Sequence, residues 1–505
     1  MTQDLQTSEN LSLSAIVPTQ DPAPDAATST SAPDVPPFPN IPPLESIPAD
    51  ELSQIQAPTP LNIKPESDGG FKAWLLVFGL SLALFCSLGY IAAWGVFQSY
   101  YEDSSKSPLL NSSSDDISWI GSTQSCMSNL LPLLSGPLSD RGHFRLTLII
   151  GSIGIVLSAF VVAECRLYWH FLVCQGVLTG TFIGIVAGTV PVIIPQWFTK
   201  RRGLAFGVVY TGSPIGGILI PIACRNLFPR IGFAWTMRVF GFIFIVLFGL
   251  CFLVANPRNS SFASRSNFLT SPEVKRRLFT VKGLKKPSYI AYTVSMFAII
   301  LGLFTCTSTV ASSIFGALLV VVISTDDTER FSCATYPVPS YVGTSAKSIG
   351  LSESTAFYMV SVANGGSGMG RILGGFAADK FGTLNMQFFA LILSSTMTFI
   401  WPFVRTEAAL VVITLFFGIG YGTYIALEAN PVVGMADPGD LGRLLGVMWA
   451  LAGISSLLSL PIPTEVKKQY GLEGMGWYAG SMILCGAFLL LVARGFVLRR
   501  IIGKA

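Results

Sequence analysis

Histidine is almost missing from these 505 residues: only His143 and His170 occur, so acid–base or metal chemistry built on imidazole has almost nothing to use. Charge is scarce too. Asp, Glu, Lys and Arg make up 12% of the chain against 51% hydrophobic residues, with a mean hydropathy of +0.59. That balance excludes a soluble domain and identifies an integral membrane protein. The nine cysteines fall mostly in apolar stretches (Cys86, Cys126, Cys174, Cys251, Cys485) without C-x-x-C or Cys/His ligand spacing. Neither a disulfide framework nor a zinc site is indicated. No Ser/His/Asp set, metal cluster or phosphate loop is visible, so neither an enzyme nor a bound cofactor is expected. The net charge of +4 does not point to nucleic acid, because in a membrane protein the placement of charge matters more than its sum. No basic segment followed by an apolar core opens the chain, so no cleavable signal peptide is expected.

What is present begins with a polar tail. Residues 1–67 are rich in Pro, Ser, Thr and Ala, carry nine acidic side chains against Lys64, and lack apolar periodicity. They are expected to be disordered and cytoplasmic. Apolar stretches follow at 73–97, 117–138, 146–163, 169–195, 203–224 and 234–256, and again at 289–310, 355–376, 386–404, 407–430, 443–463 and 476–498. Each is near the ~20 residues that a bilayer core demands. The expected fold is an all-α polytopic membrane protein with twelve transmembrane helices in two pseudo-symmetric six-helix halves, 68–256 and 289–500. A basic cytoplasmic loop at 257–288 joins the halves and a short tail covers 501–505.

Arg141, Arg145, Lys200, Arg201, Arg202, the basic run from Lys275 to Lys286, Lys380, Arg499 and Arg500 share one side of this topology. The positive-inside rule makes that side cytoplasmic. The first loop on the other side holds Glu102, Asp103, Asp115 and Asp116, and its Asn111-Ser-Ser triplet is a candidate glycosylation acceptor. The plasma membrane is the expected location, with a vacuolar or other internal membrane as the alternative.

A G-x-x-x-D-[R/K] signature occurs twice, from Gly136 to Asp140-Arg141 and from Gly375 to Asp379-Lys380. The copies lie 379 − 140 = 239 positions apart, and parallel repeats of this kind mark one class of secondary transporter. Asp140-Arg141 and Asp379-Lys380 are expected to form charge pairs at cytoplasmic helix ends, holding the halves together in one state and releasing them in another. Gly207, Gly212, Gly216 and Gly217 allow another helix to approach closely, and Pro214 interrupts the same helix's backbone ladder.

Three further stretches carry a resemblance. They are Asp68-Gly69-Gly70-Phe71-Lys72-Ala73-Trp74, the run Trp197-Phe198-Thr199-Lys200-Arg201-Arg202-Gly203-Leu204-Ala205-Phe206-Gly207, and Gly370-Arg371-Ile372-Leu373-Gly374-Gly375. From Asp68 onward the chain resembles the major facilitator superfamily, and within it the monocarboxylate-porter-like branch found in fungi. The resemblance implies a lipid-embedded transporter of a small molecule with its site between the halves. Proton-coupled animal members carry a lysine deep in the first helix and an aspartate one turn before the eighth-helix arginine. Here those places hold Ala92 or a neighbour and Ser367, which puts lactate and that proton route in doubt. Glu428 is the replacement acid on offer, though it is expected to cap or pack near the cytoplasmic end. Residues 306–335 interrupt the seventh helix, either as an exofacial insertion or as a translated intron.

Arg371 is the best candidate for substrate contact, since no other side chain from Ala356 to Phe376 is charged at neutral pH, with Ser367 and Asn364 beside it. Its five donors suit a carboxylate; snorkelling to the cytoplasmic interface is the equal alternative. The leading functional reading is a transporter of a small organic solute of carboxylate, vitamin or metabolite type by alternating access. Efflux of a secondary metabolite and a non-transporting sensor of the same fold are the alternatives.

Overall fold

The computed structural model describes residues 69–103, 107, 109, 112, 114–254, 283–305, 353–437, 439–458 and 461–498. The polar tail 1–67, Asp68, Asn111, most of the loop 257–288, the interruption at 306–335 and the tail 501–505 lie outside them. Every regular element among the described residues is helical. In order these are α1 (Phe71–Cys86), α2 (Leu88–Ala92), α3 (Trp94–Asp103), α4 (Ser114–Leu130), α5 (Pro132–Leu138), α6 (Phe144–Ala163), α7 (Tyr168–Phe171), α8 (Gly180–Ile193), α9 (Arg202–Tyr210) and α10 (Gly212–Val254). Beyond residue 282 follow α11 (Pro287–Thr305), α12 (Glu353–Phe381), α13 (Thr383–Ile400), α14 (Glu407–Leu427), α15 (Asn430–Met435), α16 (Leu441–Leu458) and α17 (Pro461–Leu498).

Seven helical stretches among the described residues are long and apolar enough to cross a bilayer. Two of them exceed a single pass. Asp116–Ala163 spans 48 residues and Arg202–Val254 spans 53, roughly 70 and 80 Å at 1.5 Å per residue against a hydrocarbon core of ~30 Å. A glycine in the left-handed region breaks each one, Gly142 at φ +85° and Gly232 at φ +77°, a conformation that strains any residue with a side chain. At Gly232 the chain doubles back. Gly212 and Gly217 lie against Ser81 and Ala92 on the way out, and on the return Phe244 meets Tyr90 and Cys251 reaches Gly79. Helix therefore runs up to Ile231 and resumes after the Gly232 break, where the hydropathy pattern predicts a loop over 225–233. Two shorter apolar helices, Pro287–Leu303 and Leu441–Ser456, add to the bundle, as does the 29-residue α12, whose polar residues lower its hydropathy.

Large apolar side chains such as Leu146, Ile153, Leu157, Val246 and Phe389 remain exposed on the outer faces, as a surface solvated by lipid requires. Cations are less one-sided than the basic clusters of the sequence suggest. Arg225, Arg230 and Arg238 lie around the Gly232 break, far from Arg201, and Arg238 pairs with Glu164 while sitting 4.8 Å from the Trp235 ring centroid.

The 239-residue spacing extends well beyond the two signatures, to Gly203 and Gly442 (442 − 203 = 239), Gly207 and Gly446 (446 − 207 = 239), and Gly232 and Gly471 (471 − 232 = 239). Packing repeats with it. A Cβ on Gly136 would strike the carbonyl of Gly442, and one on Gly375 the carbonyl of Gly203. A Cβ on Gly207 would strike the carbonyl of Arg371 and one on Gly446 that of Pro132, and here too 371 − 132 = 239. So α5 crosses α16, and α12 crosses α9, by backbone contacts that only glycine permits at these points.

Candidate functional site

The two glycine crossings bring the repeated aspartates onto helix starts. Asp140 accepts hydrogen bonds from the backbone N–H of Gly442 (2.9 Å) and Arg443 (3.1 Å), in the first turn of α16. Asp379 accepts from Gly203 (2.6 Å) and Leu204 (2.9 Å), in the first turn of α9. Each carboxylate thus caps a helix of the opposite repeat, satisfying orphan donors at the positive end of its dipole. Arg141 and Lys380 stay exposed beside them. Lys286 braces the second half at the same end, donating to the Met435 carbonyl and to Asp437 (2.8 Å each). The end of the bundle that carries Arg141, Arg201 and Lys380 is therefore shut by hydrogen bonds between the repeats.

The signature residues cluster nearby. Trp74 packs edge-on against Phe198 at 5.2 Å between ring centroids, and Gly69 (φ +91°) sits beside the Trp74 indole. Gly70 precedes α1. Lys200 and Arg201 are exposed, while Arg202 folds back to donate to the Phe198 carbonyl at 3.3 Å.

A cavity of about 180 Å³ lies between the repeats, walled by α2, α4, α9 and the start of α10 on one side and by α11, α12, α14 and α16 on the other. Asn364, Ser367 and Arg371 all line it, because spacings of three and four place them on one face of α12. Asn364 Nδ2 donates to its own helix at Val360 (3.2 Å) and across to the Gly217 carbonyl (3.4 Å). The Ser367 hydroxyl is buried with no partner among the described residues.

Arg371 is 4% exposed. Its Nη1 donates across the interface to the backbone carbonyl of Tyr210, so the side chain lines the cavity and does not run along α12 to the basic end. Its Nε is buried without an acceptor.

Glu428 corrects the expectation of a cap near the cytoplasmic end. It is 7% exposed and lines the same cavity. Trp449 Nε1 donates to its carboxylate at 3.0 Å, and Tyr292 donates to its backbone carbonyl at 2.7 Å while accepting from Gln387 at 3.0 Å. Arg371 and Glu428 share the cavity but form no ion pair within 4.0 Å among the described residues. The site therefore presents a donor fork and an acceptor, separated, inside walls that include Phe417 and Tyr421. Such an arrangement has the chemistry to hold a small solute that carries both an acceptor and a donor. The signal for Glu428 in the sequence was an acid within an apolar helix.

A bundle closed at one end by repeat-related caps, around an inner cavity lined by a buried cation and a buried acid, has the architecture of a transporter. A family profile described as Major Facilitator Superfamily matches residues 73–325. The "Agnestins efflux protein AgnL12" of Paecilomyces divaricatus is 31% identical over 449 residues, covering 88% of this chain and 93% of that protein. The "Aspyridones efflux protein apdF" of Emericella nidulans is 28% identical over 421 residues, covering 83% and 77%. Among solved structures, the human organic anion transporter MFSD10 (TETRAN) matches with a TM-score of 0.59 at 16% identity, over 83% of this chain and 98% of that one; this is a likeness of fold. The chain belongs to the Major Facilitator Superfamily, a family of multi-pass membrane transporters and not in general of enzymes.

Proposed function

We propose that this protein exports a small organic metabolite across a fungal membrane by alternating access, through twelve spans arranged as two six-helix halves. The observation that carries the reading is the cavity between the repeats, with Arg371 and Glu428 both set into its second-half wall, above an end sealed by Asp140 and Asp379. If that end is cytoplasmic, the structure is the state that gives solute up to the outside. The efflux names of the fungal relatives support export over the import of a carboxylate or vitamin. The monocarboxylate-like signatures are then a mark of kinship and not of substrate.

The test is comparative mass spectrometry of cells and medium from a producing fungus with and without the gene. Export requires at least one metabolite to build up inside the deletion strain and to fall in its medium, with recovery on re-expression. Unchanged partitioning together with lost uptake of supplied carboxylates sinks the export reading in favour of import. A protein that binds a metabolite without altering its distribution is a sensor.

A further inference from the structure

The partner of Arg371 is a backbone carbonyl left over by a proline. α9 and α10 are separated by the single residue Thr211, and Pro214 stands where a nitrogen should donate to the Tyr210 carbonyl four residues back. Proline has no N–H, so that helical bond cannot form and the carbonyl is open to another donor. Arg371 Nη1 is that donor. α12 lies directly on the proline, since a Cβ built on Gly368 would come 3.7 Å from Pro214 Cγ. Of the other guanidinium nitrogens, Nε is sealed without an acceptor, and Nη2 makes no hydrogen bond among the described residues. The Nε/Nη2 edge that would grip a carboxylate with two parallel bonds is therefore half closed.

This contact has been added to one crossing only. The second crossing repeats the glycine packing, yet it has Pro132 in place of Arg371 and Gly453 in place of Pro214 (453 − 214 = 239). The contact is also tied to closure of the basic end. Gly207 lies on the carbonyl of Arg371 itself, Gly203 lies on Gly375, and Asp379 caps α9, so separating α9 from α12 withdraws the Tyr210 carbonyl from the guanidinium.

We infer that the Tyr210 carbonyl, freed by Pro214, is a built-in substitute for an acidic oxygen of the solute at Arg371, engaged when the basic end closes. A neutral carbonyl holds a guanidinium less strongly than a carboxylate or enolate does. It therefore displaces the solute only because closure delivers it to the right place, and in doing so it lowers affinity on the release side. The solute class this selects is an organic acid, or an acidic enol, small enough for the cavity. The inference rests on the export reading and assigns Tyr210 and Pro214 a positioning role in it.

The test uses the purified full chain in lipid nanodiscs. Phenylglyoxal condenses with the two terminal nitrogens of a guanidinium, so its rate at Arg371, followed by peptide mass spectrometry, reports whether Nη1 is free. Pro214→Ala restores an N–H that can take the Tyr210 carbonyl, and Pro214→Ser does the same as a second variant. Both are expected to label about tenfold faster than wild type, the worth of one hydrogen bond to a charged group. Tyr210→Phe should label like wild type, because the acceptor is backbone. Radiolabelled cinnamate, an aromatic carboxylate, should bind about tenfold more tightly to both proline variants, again by the worth of one such bond. In proteoliposomes the variants should retain cinnamate exchange while net efflux slows.

Equal labelling rates overturn the inference, as do faster labelling with unchanged cinnamate binding or an absence of cinnamate binding in every form. Faster labelling and tighter binding in a protein that moves cinnamate only inward would leave the carbonyl as a competitor and remove the export reading instead.

Discussion

Replacing either motif aspartate by alanine should unlock the basic end, and the size of the effect follows from the hydrogen bonds that each carboxylate accepts. Asp140 holds two N–H groups at 2.9 and 3.1 Å, and Asp379 two at 2.6 and 2.9 Å. Both carboxylates are half-buried, so each bond is worth about 1.5 kcal/mol, the low end for hydrogen bonds to a charged group. That makes about 3 kcal/mol per aspartate, or about a 150-fold shift from the closed toward the open arrangement. Asparagine keeps one acceptor oxygen and should shift the balance by only about tenfold, as expected for the removal of a single such bond. Electron–electron distance measurements between spin labels at the exposed His143 and Lys380 read this shift as a growing population of longer distances. The two sites are related by the repeat, so Asp140→Ala and Asp379→Ala should act with similar size. Distance distributions like wild type in both alanine variants would refute the view that backbone capping holds this end shut.

Three further outcomes are expected. Gly207→Val and its repeat mate Gly446→Val place a side chain on the carbonyls of Arg371 and Pro132, which overpacks the crossings by about 1–3 kcal/mol; the same spin-label pair should show the closed population reduced in each, and a closed population like wild type counts against the crossing. Trp449→Phe removes the indole donor from the buried Glu428 carboxylate, a loss of about 1–3 kcal/mol; thermal unfolding in detergent should move down by several degrees, and an unchanged midpoint would mean that solvent in the cavity replaces the bond fully. Arg371→Lys keeps the charge but loses the planar fork; at normal surface expression transport should fall sharply, and near-normal transport would reduce Arg371 to an anchor.

Membrane class, the helical character of the apolar stretches and the 239-residue repeat were all legible in the chain, because hydropathy and spacing are properties of local sequence that survive whatever packs against them. The helix-breaking role of Gly232 was less legible. Its neighbours are apolar or basic on both sides, and only its positive φ shows that the chain turns there. Asn364, Ser367 and Arg371 could be picked out because a polar stripe on an apolar helix is costly unless it faces a cavity. Their partners could not. The acceptor for Arg371 is a backbone carbonyl 161 positions away, and the acceptors for the donors of α9 and α16 are carboxylates 175 to 303 positions away. Every residue has a backbone carbonyl and nearly every one an N–H, so the side-chain alphabet carries no mark of which ones are left unpaired and near a charge. Glu428 was visible as an acid in an apolar helix, but its burial beside Trp449 in the wall of the cavity was decided by how α14 and α16 meet around it.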